Sequence, residues 1–235
     1  MKNFIFDLYG TLADIRTDEF SPDFWKRMTP YFRSRSEKDI DFEAEFNSLM
    51  VKYTADNERE TDIAAVLYML FKMAGVNYTK TEIYAIGREL REASTQKLRL
   101  YPCTMEALTD LKSQGKKLYL LTNAQALFTV PEIDKLGLRE IFDGIEISSD
   151  YGYRKPSAKF FNYLLDKYGL ELSESVYIGN DYENDIKGAC NAGLKAIYIR
   201  TETSPVDAEP KDDFTDIRHF LNGDHSKLYE YLKSI

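Results

Sequence analysis

Cysteine is nearly absent from the 235 residues: only Cys103 and Cys190 occur, far apart in the chain. Two distant thiols make no disulfide framework, so a small cystine-stapled scaffold is excluded and the fold has to rest on a packed core. Long hydrophobic runs are missing as well, and none approaches the ~20 apolar residues of a membrane span. Met1 leads straight into the strand-like Asn3-Phe4-Ile5-Phe6, without the apolar stretch and small-residue cleavage site of a secretory signal, so a cytoplasmic location is expected. Basic clusters are lacking too. With a net charge of −8, no run of Lys and Arg is long enough to track a phosphate backbone, and nucleic acid is not an expected partner. The acidic balance does not exclude a small anionic substrate, because a few local cations or a metal can reverse the potential inside one cleft. The two histidines, His219 and His225, have no ligand spacing and are given no catalytic or metal role. What is present is ample core material: 43% hydrophobic residues, with 17 Tyr and 14 Phe, and mixed-sign charges. A folded, soluble protein is expected, a monomer or homodimer with a small-molecule substrate and one or two domains.

Apolar runs that end in turn residues recur along the chain with helical patterns between them. They predict strands over Asn3 to Phe6, Lys117 to Leu121, Gly144 to Ile147, Val176 to Ile178 and Ala196 to Ile199. Met105, Leu108 and Leu111 before Gly115, and Phe160, Phe161, Leu164, Leu165 and Tyr168 before Gly169, mark amphipathic helices with glycine stops. This alternation predicts an α/β core, a Rossmann-like, doubly wound parallel sheet with helices on both faces.

More than a hundred residues separate the first strand from the second. Ile63, Val66, Leu67, Leu70 and Phe71 repeat at helical spacing up to Gly75, and Thr79 with Glu82 forms a capping box for a helix toward Gln96. A small all-helical domain is therefore expected over 13–97, inserted into a core made of 1–12 and 98–235. The polar, proline-punctuated stretch from Thr201 to Asp213 is expected to be a surface loop.

Ligands of open parallel sheets bind outside the carboxyl ends of the strands. Asp7, Tyr9, Gly10 and Thr11 follow the first run, Thr122 and Asn123 the second, and Asn180 to Asp185 the fourth, while Lys155-Pro156 precedes the helix at Ser157. Taken singly, each has a plain structural explanation as a cap, a turn or a solvated charge. Together they place a carboxylate, a hydroxyl-amide pair, a lysine and an acidic loop at one edge of one sheet, an arrangement suited to a carboxylate nucleophile facing an anionic group.

The ordered segments FDLYGTL, LLTNA, RKP and IGNDYENDIKGA resemble the four motifs of the haloacid dehalogenase-like hydrolase superfamily, and the long insertion falls where that superfamily places a helical cap. The resemblance covers the whole core. It implies that Asp7 is the nucleophile of a covalent aspartyl intermediate, and that Thr122 and Asn123 bind the transferred group. Lys155 would neutralise charge on nucleophile and substrate, and Thr11 is a further substrate-binding candidate. It also implies a Mg²⁺ site made by Asp7, the backbone carbonyl of Tyr9 and the acidic loop. Alignment on Gly179 puts Asn180 at the metal position, whereas alignment on Asn184-Asp185 selects Asp181, with Asp185 as ligand or support; Asp181 is preferred, because an amide is a poorer Mg²⁺ ligand than a carboxylate.

Tyr9 stands where phosphatases of the superfamily usually carry a second aspartate, whose acid–base help is worth about 10²–10⁴-fold. A phenol with an ordinary pKa of about 10 is a poor substitute. The superfamily's 2-haloacid dehalogenases commonly have tyrosine there, and a halide leaves without a proton. Those enzymes also look for a tryptophan-arginine pair, a tyrosine after the lysine and a serine opening the last loop, where this chain has Trp25-Lys26, Phe161 and Gly179, and they thin out the acids that this chain keeps. The expectation is a Mg²⁺-dependent phosphatase acting on a small phosphorylated metabolite. A metal-independent dehalogenase and a weakly active binding or regulatory protein are the alternatives. Trp25, Lys26, Arg27, Arg33 and Arg35 are the candidates for anion contacts from the insertion.

Overall fold

The computed structural model describes residues 1–54, 58–205, 218–220 and 223–235. Its strands are β1 (Asn3–Phe6), β2 (Ala13–Thr17), β3 (Thr95–Leu100), β4 (Lys117–Thr122), β5 (Gly144–Ile147), β6 (Ser175–Gly179), β7 (Lys195–Ile199) and β8 (Arg218–Phe220). The helices are α1 (Pro22–Ser34), α2 (Phe42–Tyr53), α3 (Ile63–Met73), α4 (Lys80–Ser94), α5 (Thr104–Ser113), α6 (Ala126–Lys135), α7 (Ser148–Tyr151), α8 (Ala158–Tyr168), α9 (Gly188–Asn191) and α10 (His225–Lys233), with a turn of π-helix over Tyr182–Lys187.

Six strands form one parallel sheet in the order β5-β4-β1-β6-β7-β8. Alternation along each strand sorts the side chains into two layers. Phe4, Phe6, Leu118, Leu120, Val176, Ile178, Ile197 and Ile199 pack with α5, α6 and α10. Ile5, Tyr119, Leu121, Tyr177 and Tyr198 face α8, α9 and the π-turn. This is a doubly wound Rossmann-like α/β architecture. The chain builds outward from β1 through β4 and β5, then returns to the other side of β1 for β6, so the crevice of the topological switch opens at the carboxyl end of β1. Asp7 is the next residue.

The four helices α1–α4 all lie between β2 and β3. They bury a core of their own around Phe24, Trp25, Phe32, Phe46 and Phe71, and Leu127 and Phe128 of α6 join it. The two ends of the segment expected to be helical are strands instead: β2 and β3 pair antiparallel from Ala13–Leu100 to Thr17–Thr95. Helix α4 stops at Ser94, where Thr95 turns extended. Pairing is favoured because the buried Asp14 carboxylate finds Lys97 Nζ at 2.5 Å and Arg99 Nε at 3.1 Å across the ribbon, and a buried carboxylate without partners is costly. Strand β8 was also unexpected, since Arg-His-Phe carries no apolar run; its place is set by pairing with β7. Of the expected surface loop at 201–213, residues 206–213 lie outside the described residues. No helix among the described residues is long and apolar enough to cross a membrane.

Phe6 is fully buried, meets Phe142 edge-on at 6.3 Å and immediately precedes Asp7. Phe6→Ala should cost about 3–5 kcal/mol in urea denaturation, whereas Val51→Ala, at a residue 80% exposed, should stay within about 0.5 kcal/mol. Comparable losses at both positions would contradict this account of the core.

Candidate active site

Asp7 is held at the end of β1 by its own backbone, whose N–H donates to the Ile178 carbonyl at 2.9 Å. The chain then turns at Gly10, which has φ +82°; a Cβ there would lie 2.2 Å from Asn180 Nδ2, so only glycine fits. Lys155 enters from the loop before α8 and is almost completely buried. Its ammonium donates to Asp7 Oδ1 at 2.8 Å, Asp185 Oδ1 at 2.5 Å and the Tyr177 hydroxyl at 2.8 Å. Burial works against the ammonium, but Asp185 and Asp7 outweigh it and hold Lys155 above the ordinary lysine value. Burial pushes the Asp185 carboxyl up to about 6, Lys155 pulls it down, and Asp7 adds to the rise.

The two candidate acids of the last loop differ in how much of each carboxylate is engaged. Asp185 accepts Lys155 and the Tyr177 hydroxyl on Oδ1, and the backbone N–H groups of Asn180 and Asp181 on Oδ2 at 3.0 and 2.9 Å. All its lone pairs are engaged. Asp181 caps the π-turn, accepting the N–H groups of Glu183 and Asn184 on Oδ1, while among the described residues its Oδ2 takes only the Asn184 amide. A Cβ on Gly179 would come 2.4 Å from Asp185 Oδ2, so this position has no room for a side chain.

A cavity of about 320 Å³ is lined by Asp7, Tyr9, Thr122, Asn123, Lys155, Asn180, Asp181 and Asp185, and also by Ile15 and Arg154. The sequence-predicted residues are thus brought together, with distinctions among them. The Thr122 hydroxyl is buried without a partner among the described residues, which suits a group that a ligand would satisfy. The Asn123 side chain instead clasps the backbone of Lys155, accepting its N–H at 2.7 Å and donating to its carbonyl at 2.9 Å. Thr11 is fully buried, its hydroxyl 3.3 Å from both Asp7 Oδ2 and Asn180 Oδ1. Among the described residues, no three acidic, histidine or cysteine side chains stand together as a metal-holding group.

Tyr9 also lines the cavity, yet its hydroxyl is engaged elsewhere. It donates in a short hydrogen bond to Glu132 Oε2 and lies 3.0 Å from the Thr129 hydroxyl, both on α6. Burial and the Glu132 carboxylate push the phenol far above its usual pKa. Glu132 in turn receives Arg91 of α4 at 2.6 Å, and Arg91 reaches Glu19 at 2.6 Å. Three members of these networks were not among the sequence candidates: Tyr177 lies within the apolar run Val176 to Ile178, and neither Glu132 nor Arg91 belongs to any of the four motifs. His225 is buried, stacks on Tyr101 at 4.1 Å and bonds the Thr11 carbonyl at 2.9 Å, a support for the loop after Asp7. The insertion's candidate anion contacts do not line the cavity: Trp25 is buried in the helical core, and Arg27, Arg33 and Arg35 pair with Asp18, Asp39 and Glu89.

A family model for haloacid dehalogenase-like hydrolases matches residues 1–193. The chain belongs to the haloacid dehalogenase-like hydrolases. Over 112 residues, 48% of this chain and 50% of the relative, it is 33% identical to a glyceraldehyde 3-phosphate phosphatase of Methanothermobacter thermautotrophicus. Over 122 residues, 49% of this chain and 52% of the relative, it is 34% identical to a phosphoglycolate phosphatase of Agrobacterium fabrum. The match thus spans about half the length of each of these relatives. Among solved structures, a 2-haloacid dehalogenase from Pseudomonas syringae pv. Tomato superposes with a TM-score of 0.68 at 22% identity, covering 100% of this chain and 99% of that one. At that identity the likeness speaks for the fold, which this haloacid dehalogenase-like chain shares along its full length.

Lys155→Met leaves Asp7 and Asp185 facing each other in a buried site with no cation between them. A loss of about 3–5 kcal/mol in chemical denaturation is expected; a loss below about 1 kcal/mol would show that the lysine is not the keystone of this cluster.

Proposed function

We propose that this haloacid dehalogenase-like protein is a phosphatase of a small phosphorylated metabolite, with Asp7 as nucleophile and Mg²⁺ as cofactor. One observation carries the reading: Lys155 fixes Asp7 Oδ1, while among the described residues Oδ2 has only the 3.3 Å contact of Thr11, in a cavity shared with the Thr122 hydroxyl, which has no partner among them. Oδ2 attacks phosphorus, the bond to the leaving oxygen breaks, and water then hydrolyses the aspartyl phosphate. Lys155 and Thr122 provide fixed positive charge and a hydrogen-bonding group for the phosphoryl oxygens, the electrostatic preorganisation on which such transfers depend.

The donors suit a hard cation. Asp7, Asn180 and Asp181 bring side-chain oxygens to one cavity, and the Tyr9 carbonyl belongs to the same loop as Asp7. Asp181 is the better acidic ligand, because all lone pairs of Asp185 are taken by Lys155, Tyr177 and two backbone N–H groups. Asp185 then acts by holding Lys155. When bound, Mg²⁺ would supply counter-charge to Asp7 and to the phosphoryl oxygens. Residues 13–97 serve in this reading as a cap domain over a core of 1–12 and 98–235.

The dehalogenase alternative keeps one specific observation in its favour, Tyr9 itself. Against it, Gly179 leaves no room for a serine, Phe161 is buried edge-on against Tyr177, and Trp25 lies in the insertion's core. The two phosphatase relatives point the same way.

With its hydroxyl tied to Glu132, Tyr9 cannot hand a proton to a leaving alkoxide. Mg²⁺-supported phosphate release should therefore favour good leaving groups steeply, with 4-nitrophenyl phosphate turned over faster than alkyl phosphates. Asp7→Asn should abolish release, and Tyr9→Asp should speed alkyl substrates toward the ~10²–10⁴-fold that general acid–base help supplies. Phosphate release from no member of a broad panel, or chloride release from 2-chloropropionate in EDTA, would decide against the phosphatase.

A further inference from the structure

Two cations line the cavity that holds Asp7, and they differ in what they face. Lys155 spends all three donors on Asp7, Asp185 and Tyr177. Arg154, half-buried and one residue earlier, makes no ion pair with any carboxylate among the described residues. Its backbone is fixed: the N–H donates to the Glu58 carbonyl at 2.8 Å, the carbonyl accepts from Ser157 N–H at 3.0 Å, and the preceding Tyr153 bridges to Arg59. A guanidinium on a fixed stem presents a planar fork suited to a carboxylate or phosphate, and Lys155 has no donor left for such a group.

The walls of the cavity sharpen the point. No residue of α1–α4 lines it, and Ile15 of β2 is the single contribution from the inserted segment among the described residues. At about 320 Å³ the space sits at the small end of ligand pockets, so any selecting group must lie within a few atoms of the phosphoryl position. Asp7, Asp181 and Asp185 against Lys155 and Arg154 leave the lining with a net charge of −1. A second anion would thus have Arg154 as the one unspent cation among the described lining residues.

We propose that Arg154 is a specificity determinant, selecting ligands that carry a second anionic group, a carboxylate or another phosphate, close to the phosphoryl group. As a statement about substrate the proposal rests on the phosphatase reading, but binding tests it separately. Titration calorimetry of the full chain, with Mg²⁺ and with EDTA, would compare methylphosphonate, phosphonoacetate and 1,3-propylenediphosphonate. At least one of the two doubly anionic ligands should bind about 10- to 100-fold more tightly than methylphosphonate, and the stronger of the two identifies the second group. Arg154→Gln should bring that ratio close to one, and Arg154→Lys should restore part of it. Equal affinities in the wild type, no measurable binding of any of the three, or a proportional loss for all ligands in Arg154→Gln would overturn the proposal. Phosphate release from 2-phosphoglycolate and ethyl phosphate is read in parallel. A binding preference without release from either ester counts against the phosphatase and leaves Arg154 in its role, while release from both without preference counts against Arg154 alone.

Discussion

The site depends on one buried ammonium. Lys155 lies between two carboxylates in a place that water barely reaches, and such a cluster is stable only if every polar atom has a partner. An ammonium has three donors, and all three are used, on Asp7, Asp185 and Tyr177. Asp185 completes its own shell with two backbone N–H groups, and Asn123 clasps the lysine's backbone so that the side chain starts from a fixed point. One cation against two carboxylates leaves a single negative charge. Asp185 is saturated, so the less engaged oxygen of the cluster is Asp7 Oδ2, on a residue that lines the cavity. The same geometry explains Gly179, where any side chain would push Asp185 off the lysine.

Much of this could be read from the chain because it follows from short-range rules. Apolar runs with turn residues behind them located five of the six strands of the main sheet within a residue or so, and the switch-point rule pointed to Asp7, Thr122, Lys155 and the 180–185 loop. The spacing of four motifs in order carried the family. What local pattern cannot encode is where a side chain's free valence goes. Asn123 reads as a donor toward a ligand, yet its amide is spent on Lys155. Tyr177 reads as core, yet its hydroxyl is a member of the charged cluster. Arg91 and Glu132, 41 residues apart, look like solvated helix charges until α4 packs on α6 and buries them together. The ribbon of β2 and β3 escaped for a similar reason, since its pairing is decided by Asp14 finding two cations about 85 residues away.

Tyr9 draws these threads together. As a member of the first motif it stands where the resemblance expects an acid–base aspartate in phosphatases, and its hydroxyl points to α6, where Glu132 accepts it. Glu132 is also the partner of Arg91, and the Arg91 guanidinium lies 5.8 Å from the centre of the Tyr9 ring. A residue two positions after Asp7 is therefore wired through one carboxylate to a helix of the insertion. An aspartate at position 9 would be too short to make that bond and would leave Glu132 with Arg91 alone. In the proposed phosphatase, the lack of an acid–base carboxylate at position 9 and the tether between the Asp7 loop and the inserted helices both follow from this tyrosine. This ties the Asp7 loop to the docking of the helices: movement of α4 away from α6 would pull on Tyr9, two residues from Asp7, while Lys155 stays anchored to the core through Asp185 and Tyr177.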